Sequence, residues 1–288
     1  MKVSSIFGGI VLAVTISGCG GGGSGGGGET PTYSTTKAEN NMGTLGGAMN
    51  DIIGLSSWSE AINGVFEEKY TRPDQNTSFE DVVIACSAKG SMKVDGTYVL
   101  RKDDDMLDLN FEMDGCEMQG GELAGEIAIK TTVKLIEKDT DWDIRFKRFT
   151  IGVGRSGEST TSGTLLQHIS VSGNSQSLQL DANTTSKAGE KVRYDGFRVQ
   201  VDNEDKLKID GKYEMIESNF NCLKGLYDIQ TFSAMKTDSY VPFLPVDGEV
   251  GINGISYSFN ADGGSEVVDG RTMWTMKVED YADYKCDD

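Results

Sequence analysis

The sequence predicts a mainly β protein of long antiparallel strands, with one helical segment near the N-terminus. Apolar and polar residues alternate along much of the chain after residue 79, which is typical of strands that bury one face. A glycine recurs in the middle of several of these runs. Before them, apolar residues recur at helical spacing between residues 45 and 66. A sandwich, a barrel and an extended curved sheet all fit this pattern.

The start of the chain, residues 1–18, has the features of a secretory signal. A basic residue follows the initiator methionine, and an uncharged apolar run precedes two small residues and Cys19. The run is too short to cross a bilayer as a helix, which takes about 20 residues. The order Ile16-Ser17-Gly18-Cys19 resembles the lipobox of bacterial lipoproteins. This resemblance implies that Cys19 is lipidated and anchors the mature protein to a membrane.

Residues 19–36 form a predicted flexible tether, because nearly all of Gly20 to Gly28 is glycine, with high backbone entropy and no side chains to pack. Residue 20 is not an aspartate. By the same resemblance to lipoprotein sorting signals, this favours the outer membrane over retention in the inner membrane. Display on the periplasmic side and display on the cell surface are both compatible with it.

Residues 37–78 are predicted to be a helical segment that packs on the sheet. One helical face contains a set of apolar residues, namely Leu45, Ala48, Met49, Ile52 and Ile53. Ser57 and Glu60 match a capping box, which predicts that a second helix begins at Ser57. Pro73 and its neighbours are expected to end it.

Residues 79–288 are predicted to form the antiparallel β domain. Two cysteines and the same glycine pattern occur in each half of this region, which indicates two weakly related halves. The apolar positions alternate most regularly in four runs, at 107–113, 127–135, 165–171 and 178–182.

The recurring glycine pattern has the form apolar, any residue, Gly, any residue, apolar, and its glycines are Gly96, Gly125, Gly211 and Gly248. An Asp-Gly pair usually marks a hairpin turn, but a turn at Gly211 would mix apolar and charged residues on one face. A continuous strand keeps them apart. Each glycine therefore predicts a bend, a bulge or a close approach by another element, with the 45–66 helical segment as the expected neighbour.

Four cysteines remain if Cys19 is lipidated, and an exported protein can form disulfides from them. Three pairings are possible. We favour Cys86 with Cys116 and Cys222 with Cys286, because shorter loops cost less entropy to close. No cysteine or histidine spacing fits a zinc site.

The composition excludes a large class of partners. The formal net charge is −18, whereas nucleic-acid binding needs a basic surface. The same charge argues against docking on anionic lipid head groups. We expect a soluble, self-repelling domain held at the membrane only by its lipid anchor.

Several motif matches fail on their context. Residues 152–157 match GxGxxG, but a turn-like rather than a helical sequence follows. Ser233 to Lys236 matches SxxK, but Ser233 belongs to an alternating run, and the companion motifs are missing. The single histidine, His168, lies in another alternating run and is expected to face solvent. No catalytic residue and no cofactor is therefore predicted.

Asp139, Asp141 and Asp143 provide a DxDxD pattern whose oxygens suit calcium. Ile144 stands where an EF-hand loop has glycine, and Thr150 stands where it has glutamate. The pattern therefore favours an acidic hairpin turn, and no metal is predicted.

Together these observations predict an envelope lipoprotein that acts as a non-enzymatic binding or structural module. The expected partners are the membrane, through the lipid anchor, and an envelope protein, glycan or lipid. An alternative is a carrier that holds a hydrophobic ligand in a β cavity, which bent strands could form. A second alternative is a hydrolase that uses carboxylates on loops.

Overall fold

The computed structural model describes residues 35–70, 73–118, 121–135, 138–153, 157–204, 206–219, 223–237, 245–259, 264–269 and 272–277. These residues form one helix and fourteen strands. In chain order the elements are α1 Thr35–Lys69, β1 Thr77–Ala85, β2 Ser91–Leu100, β3 Asp104–Met118, β4 Gly121–Lys134, β5 Thr140–Val153, β6 Gly157–Ser170, β7 Ser175–Ser186, β8 Lys191–Val201, β9 Lys206–Glu217, β10 Gly225–Thr237, β11 Pro245–Ile252, β12 Ile255–Phe259, β13 Gly264–Asp269 and β14 Thr272–Lys277.

All fourteen strands belong to one antiparallel sheet, and each strand pairs with its neighbours in the chain. Within the described residues β1 and β14 pair on one side only, so the sheet is open. The prediction of a mainly β protein with an N-terminal helix is confirmed. Of the three arrangements that fit the sequence, the chain adopts the single open sheet.

The alternation in the sequence separates an inner from an outer face of this sheet. In β3 the side chains of Leu107, Leu109, Phe111 and Met113 are buried, and Asp108 between them is exposed. The same alternation holds along β4, β7 and β9. Each large apolar side chain that is fully buried stabilises the fold by about 1.5–3 kcal/mol before entropy is counted. The inner face therefore holds the core.

The helix α1 is continuous from Thr35 to Lys69, so the prediction that a second helix begins at Ser57 is wrong. The apolar face continues across this point in steps of three and four residues, through Ile52, Leu55, Trp58, Ile62 and Phe66, all of which are buried. Tertiary packing of this uninterrupted face outweighs the local capping signal. The chain leaves the helix just before Pro73, as expected.

The helix crosses the strands on the inner face instead of running along one of them. Near its end the Phe66 ring contacts Phe79 of β1 and Phe111 of β3, with centroids 5.0 and 6.2 Å apart. Near its start the side-chain amide of Asn41 donates a 2.7 Å hydrogen bond to the hydroxyl of Tyr257 in β12. The helix therefore spans nearly the whole width of the sheet.

Simple dimensions show that the sheet curves around α1. The helix rises about 38 Å from Asn41 to Phe66, at about 1.5 Å per residue. A flat sheet would place β1 and β12 about 53 Å apart, at about 4.8 Å per strand. Both strands nevertheless contact this one segment. The sheet must therefore be concave towards the helix.

Three of the four repeated mid-strand glycines lie where a neighbouring strand bulges. Strand β8 bulges opposite Gly211 of β9. Two residues of β8, Gly196 and Phe197, face this one glycine, between the pairings of β8 with Lys212 and Asp210. A Cβ atom on Gly211 would lie only 2.1 Å from the carbonyl oxygen of Gly196, and the glycine has φ +107°. The backbone of the adjacent strand thus occupies the space that a side chain would need.

Gly125 and Gly248 likewise face bulges, in β5 and β10, whereas Gly96 faces β3, which pairs with β2 in unbroken register. A Cβ at Gly96, Gly125 or Gly248 would lie 2.1, 2.1 or 2.6 Å from backbone atoms of the adjacent strand. The prediction of a continuous strand is therefore confirmed at all four glycines, with a bulge in the adjacent strand at three of them and a close backbone approach at Gly96. The expectation that the 45–66 helix is the close neighbour is wrong, because α1 packs on side chains and the bulges lie within the sheet. The helix approaches a different glycine, Gly121, which lies under the Trp58 ring.

Acidic or hydroxyl side chains hold the bulged backbone. The amide of Gly196 donates a 2.6 Å hydrogen bond to Asp181, and the amide of Arg148 donates a 3.0 Å bond to Ser162. The amide of Asp81 donates likewise to Asp95, at 2.7 Å. These bonds replace ladder bonds that the extra residues lose. Asp95 and Ser162 come directly before Gly96 and Gly163, so the residue before a mid-strand glycine can hold the bulge of the adjacent strand.

The disulfide that the loop lengths favour is present. Cys86, just after β1, is bonded to Cys116 of β3, with their Cα atoms 5.6 Å apart. It fastens the β1–β2 connection across the sheet edge. The second predicted pair, Cys222 with Cys286, lies outside the described residues.

Candidate functional site

The most unusual part of the core is a line of hydrogen bonds between α1 and the sheet, which we call the polar seam. It is formed by polar side chains on the buried face of the helix and by tyrosine or glutamine side chains on the inner face of the sheet. Its pairs are Asn41–Tyr257, Thr44–Tyr213, Asp51–Tyr194, Ser56–Gln167 and Glu60–Gln167.

The seam gives hydrogen bonds to polar groups that lie between α1 and the sheet. The hydroxyl of Tyr213 donates to Thr44 at 2.8 Å, and Gln167 donates to Glu60 at 2.7 Å while accepting from Ser56 at 3.0 Å. Leaving such a group unpaired costs about 1–3 kcal/mol. The seam therefore fixes one position of the helix on the sheet, where apolar contacts alone would tolerate sliding.

Asp51 is the acid in this seam whose environment is most perturbed. It is half-buried, and its carboxylate accepts a hydrogen bond from the Tyr194 hydroxyl. Burial raises the pKa of Asp51 to about 6, opposed by the bond from Tyr194 and reinforced by the nearby charge of Glu190. Burial also raises the pKa of Tyr194 well above its usual value, with the Asp51 charge adding to the effect. The tyrosine therefore stays a neutral donor.

A cavity of about 140 Å³ opens beside Asp51, between α1 and strands β5 to β7. The helix and the sheet both line it, with carboxylate, hydroxyl, aromatic and aliphatic groups. Its lining residues are Asn50, Asp51, Gly54, Leu55, Trp58, Ile151, Ser159, Thr161 and Thr184.

A second pocket, of about 240 Å³, lies where strands β6 to β9 end. It contains part of a polar row whose members face one another across five strands. The row consists of Asp141, His168, Ser177, Gln200 and Lys208. His168 is half-exposed and its ring bonds to Asp141 at 2.6 Å, so it lies on the outer face as the sequence indicates.

The three aspartates considered for calcium have separate partners. Asp139 accepts from the amide of Val171 at 3.1 Å, Asp141 bonds to His168, and Asp143 forms an ion pair with Arg145 at 3.1 Å. Among the described residues no group of three or more histidine, cysteine, aspartate or glutamate side chains could hold a metal ion. The aspartates stabilise local structure at the β5 hairpin.

The rejected motifs lie in strands. Ser233 lies within β10, so it has no helix to present the SxxK arrangement. The described residues of the GxGxxG match are the end of β5 and Gly157 at the start of β6, and Val153 pairs with Gly157 between these antiparallel strands, where a dinucleotide site would need a helix. Cys19 and the rest of the lipobox lie outside the described residues.

The polar seam and Asp51 were not predicted from the sequence. A usable signal existed, because tyrosines recur at inward positions of late strands, at Tyr194, Tyr213, Tyr227 and Tyr257. A buried tyrosine needs a partner for its hydroxyl. For Tyr194, Tyr213 and Tyr257 a partner lies on α1, and the hydroxyl of Tyr227 donates to the carbonyl of Leu223.

Within the described residues no helix is both long and apolar enough to span a membrane. No family model, no curated protein and no solved structure matches the chain.

Proposed function

We propose that this protein is a lipid-anchored envelope protein whose sheet acts as a non-enzymatic binding or structural module. The observation that carries the proposal is that only one of the two faces of the sheet is covered. The inner face is filled by α1 and by the apolar core. The outer face, on strands of up to fifteen residues, is left for contacts with other molecules.

The outer face has groups that a partner could use. Its ion pairs, such as Lys147–Glu126 at 2.9 Å and Lys212–Asp228 at 3.4 Å, are solvated and stabilise the fold little. They can exchange partners at low cost. Phe232 of β10 is 54 % exposed although it is aromatic, and such residues often anchor protein interfaces.

The anchor part of the proposal rests on the lipobox resemblance at Cys19 and is tested by its substitution. We would express the full chain and its Cys19→Ser variant, label cells with radioactive palmitate and fractionate them. Wild-type protein should carry label and sediment with membranes, and Cys19→Ser should be unlabelled and soluble. Cys86→Ser is the matched control, because it removes a cysteine without touching the anchor. Firm membrane association of Cys19→Ser would contradict the anchor.

The absence of catalysis is tested on the acid with the most perturbed environment. The detergent-solubilised protein would be incubated with envelope glycans, peptides and phospholipids, and products would be followed by mass spectrometry. We expect no turnover. Turnover that disappears in Asp51→Asn would establish an enzyme and overturn this part of the proposal. It would also revive the carboxylate hydrolase, which stays a prediction.

The carrier alternative also stays a prediction. Ligand pockets usually measure about 300–1,000 Å³, and the two described cavities measure about 140 and 240 Å³. The pattern glycines that suggested a cavity instead accommodate the backbone of adjacent strands. A long acyl chain would need space that α1 now fills.

A further inference from the structure

The cavity beside Asp51 has the size of a small ligand group. At about 140 Å³ it has room for four or five waters, since each water takes about 30 Å³ in the liquid. The helix provides one wall, through Asp51, Gly54 and Trp58. Strands β5 and β6 provide the other, through Ile151 and Ser159. The walls are elements with fixed positions, so the site is preformed.

The chemistry of the lining favours a positive charge on a partly apolar group. A carboxylate can accept several hydrogen bonds, and within the described residues Tyr194 is the one donor to Asp51. Trp58 contributes an aromatic ring, which attracts cations through its negative face. Leu55 and Ile151 add aliphatic surface. This combination is typical of sites for organic ammonium groups.

Electrostatics on a larger scale point the same way. Glu190 is close enough to influence Asp51, and the whole chain has a net charge of −18. Such a field concentrates cations at the surface and repels anions. A bare metal ion fits less well, because no group of three or more metal-binding side chains occurs in the described part of the chain.

We propose that this cavity binds a small organic ammonium group, with Asp51 as its counter-ion and Trp58 as its aromatic wall. The inference names a ligand class for the binding role proposed above, and so rests on that role, but it does not depend on the lipid anchor. Failure of membrane attachment and failure of ammonium binding are therefore separate results.

The site should respond to pH in a defined direction. The titratable groups that face Asp51 are Tyr194 and Glu190, and Tyr194 stays protonated throughout the relevant range. Because burial raises the pKa of Asp51 to about 6, its carboxyl is largely neutral below that pH. Ammonium binding should therefore strengthen as the pH rises through about 6, and it should then become constant.

The probe is tetramethylammonium chloride, titrated into the full chain at low ionic strength and followed by NMR of the tryptophan indole signals, with sodium chloride as the blank. We expect saturable binding with a dissociation constant of about 1 mM. Asp51→Asn keeps the shape and removes the charge, and should weaken binding by about tenfold or more. Equal binding by Asp51→Asn, or no saturable binding by the wild type, would overturn the proposal.

Two glycines of α1 provide a matched pair that does not depend on the charge. A Cβ at Gly54 or at Gly46 would meet no atom within 4 Å, but only Gly54 lines the cavity. Gly54→Leu should fill the cavity and abolish binding, and Gly46→Leu should bind as the wild type does. Both substitutions raise helix propensity equally, so a difference between them reports on the cavity. Undiminished binding by Gly54→Leu would contradict the assignment, even if Asp51→Asn failed to fold.

Discussion

Replacing Gly211 by alanine tests whether the bulge geometry determines the identity of this residue. Gly211 has φ +107°, and its Cβ would lie 2.1 Å from the Gly196 carbonyl oxygen and 2.8 Å from the Phe197 Cα atom. A left-handed backbone costs a residue with a side chain about 1–2 kcal/mol. Displacing neighbouring backbone in a packed sheet costs about 1–3 kcal/mol more. We expect Gly211→Ala to lower the free energy of unfolding by about 3 kcal/mol, measured by urea denaturation.

Two control substitutions separate the contributions. Gly189 also has positive φ, +87°, but a Cβ there would meet no atom within 4 Å, so Gly189→Ala should show the backbone cost alone. Gly46 lies in α1 with open space around it, and Gly46→Ala should stabilise the protein by about 1 kcal/mol. If Gly211→Ala is no worse than Gly189→Ala, the adjacent strand does not exclude a side chain, and the explanation of the glycine pattern is refuted.

Three further predictions concern other parts of the fold. Replacing Cys86 and Cys116 by alanine should cost about 3–4 kcal/mol in urea denaturation, because the bond closes a loop of 30 residues; an unchanged midpoint would contradict this. Because burial raises the pKa of Asp51 from 3.8 to about 6, the folded state retains a proton that the unfolded state has released. Its stabilising contribution, reduced by partial exposure to about 1–2 kcal/mol, should be complete below about pH 4 and lost as the pH rises through about 6. Asp51→Asn should abolish that decline in unfolding free energy. Gln167→Leu should destabilise the fold by about 2 kcal/mol, because Glu60 loses the hydrogen bond from Gln167 and Ser56 loses Gln167 as its acceptor; an unchanged thermal melting temperature would contradict this.

The sequence was sufficient to predict what depends on local periodicity. The inward positions of β3 and β7 follow from alternation alone, and the argument from side-chain phase at Gly211 correctly rejects a hairpin turn. The Cys86–Cys116 pairing follows from loop length, which is also a property of the chain. In each case the interacting residues are close in sequence or repeat with a fixed period.

The features that escaped prediction depend on partners far apart in sequence. The space beside Gly211 is filled by Gly196, and only the strand register reveals that they face each other. Ser57 has the local features of a helix cap, but the long apolar face of α1 outweighs them. The polar seam joins residues 107 to 216 positions apart, so the recurring inward tyrosines indicate that partners are needed but not which residues these are.

The meander topology and the crossing helix have opposite consequences for assembly. Each strand pairs with the one made just before it, so the sheet can grow hairpin by hairpin through contacts of short sequence separation, which form fast. The helix α1 is synthesised before every strand, yet its contacts extend from β1 to β12. Its docking surface is therefore finished almost last. Until β12 has joined the sheet, part of the apolar face of α1 has no strand to pack on. The chain is therefore most prone to aggregate during that interval.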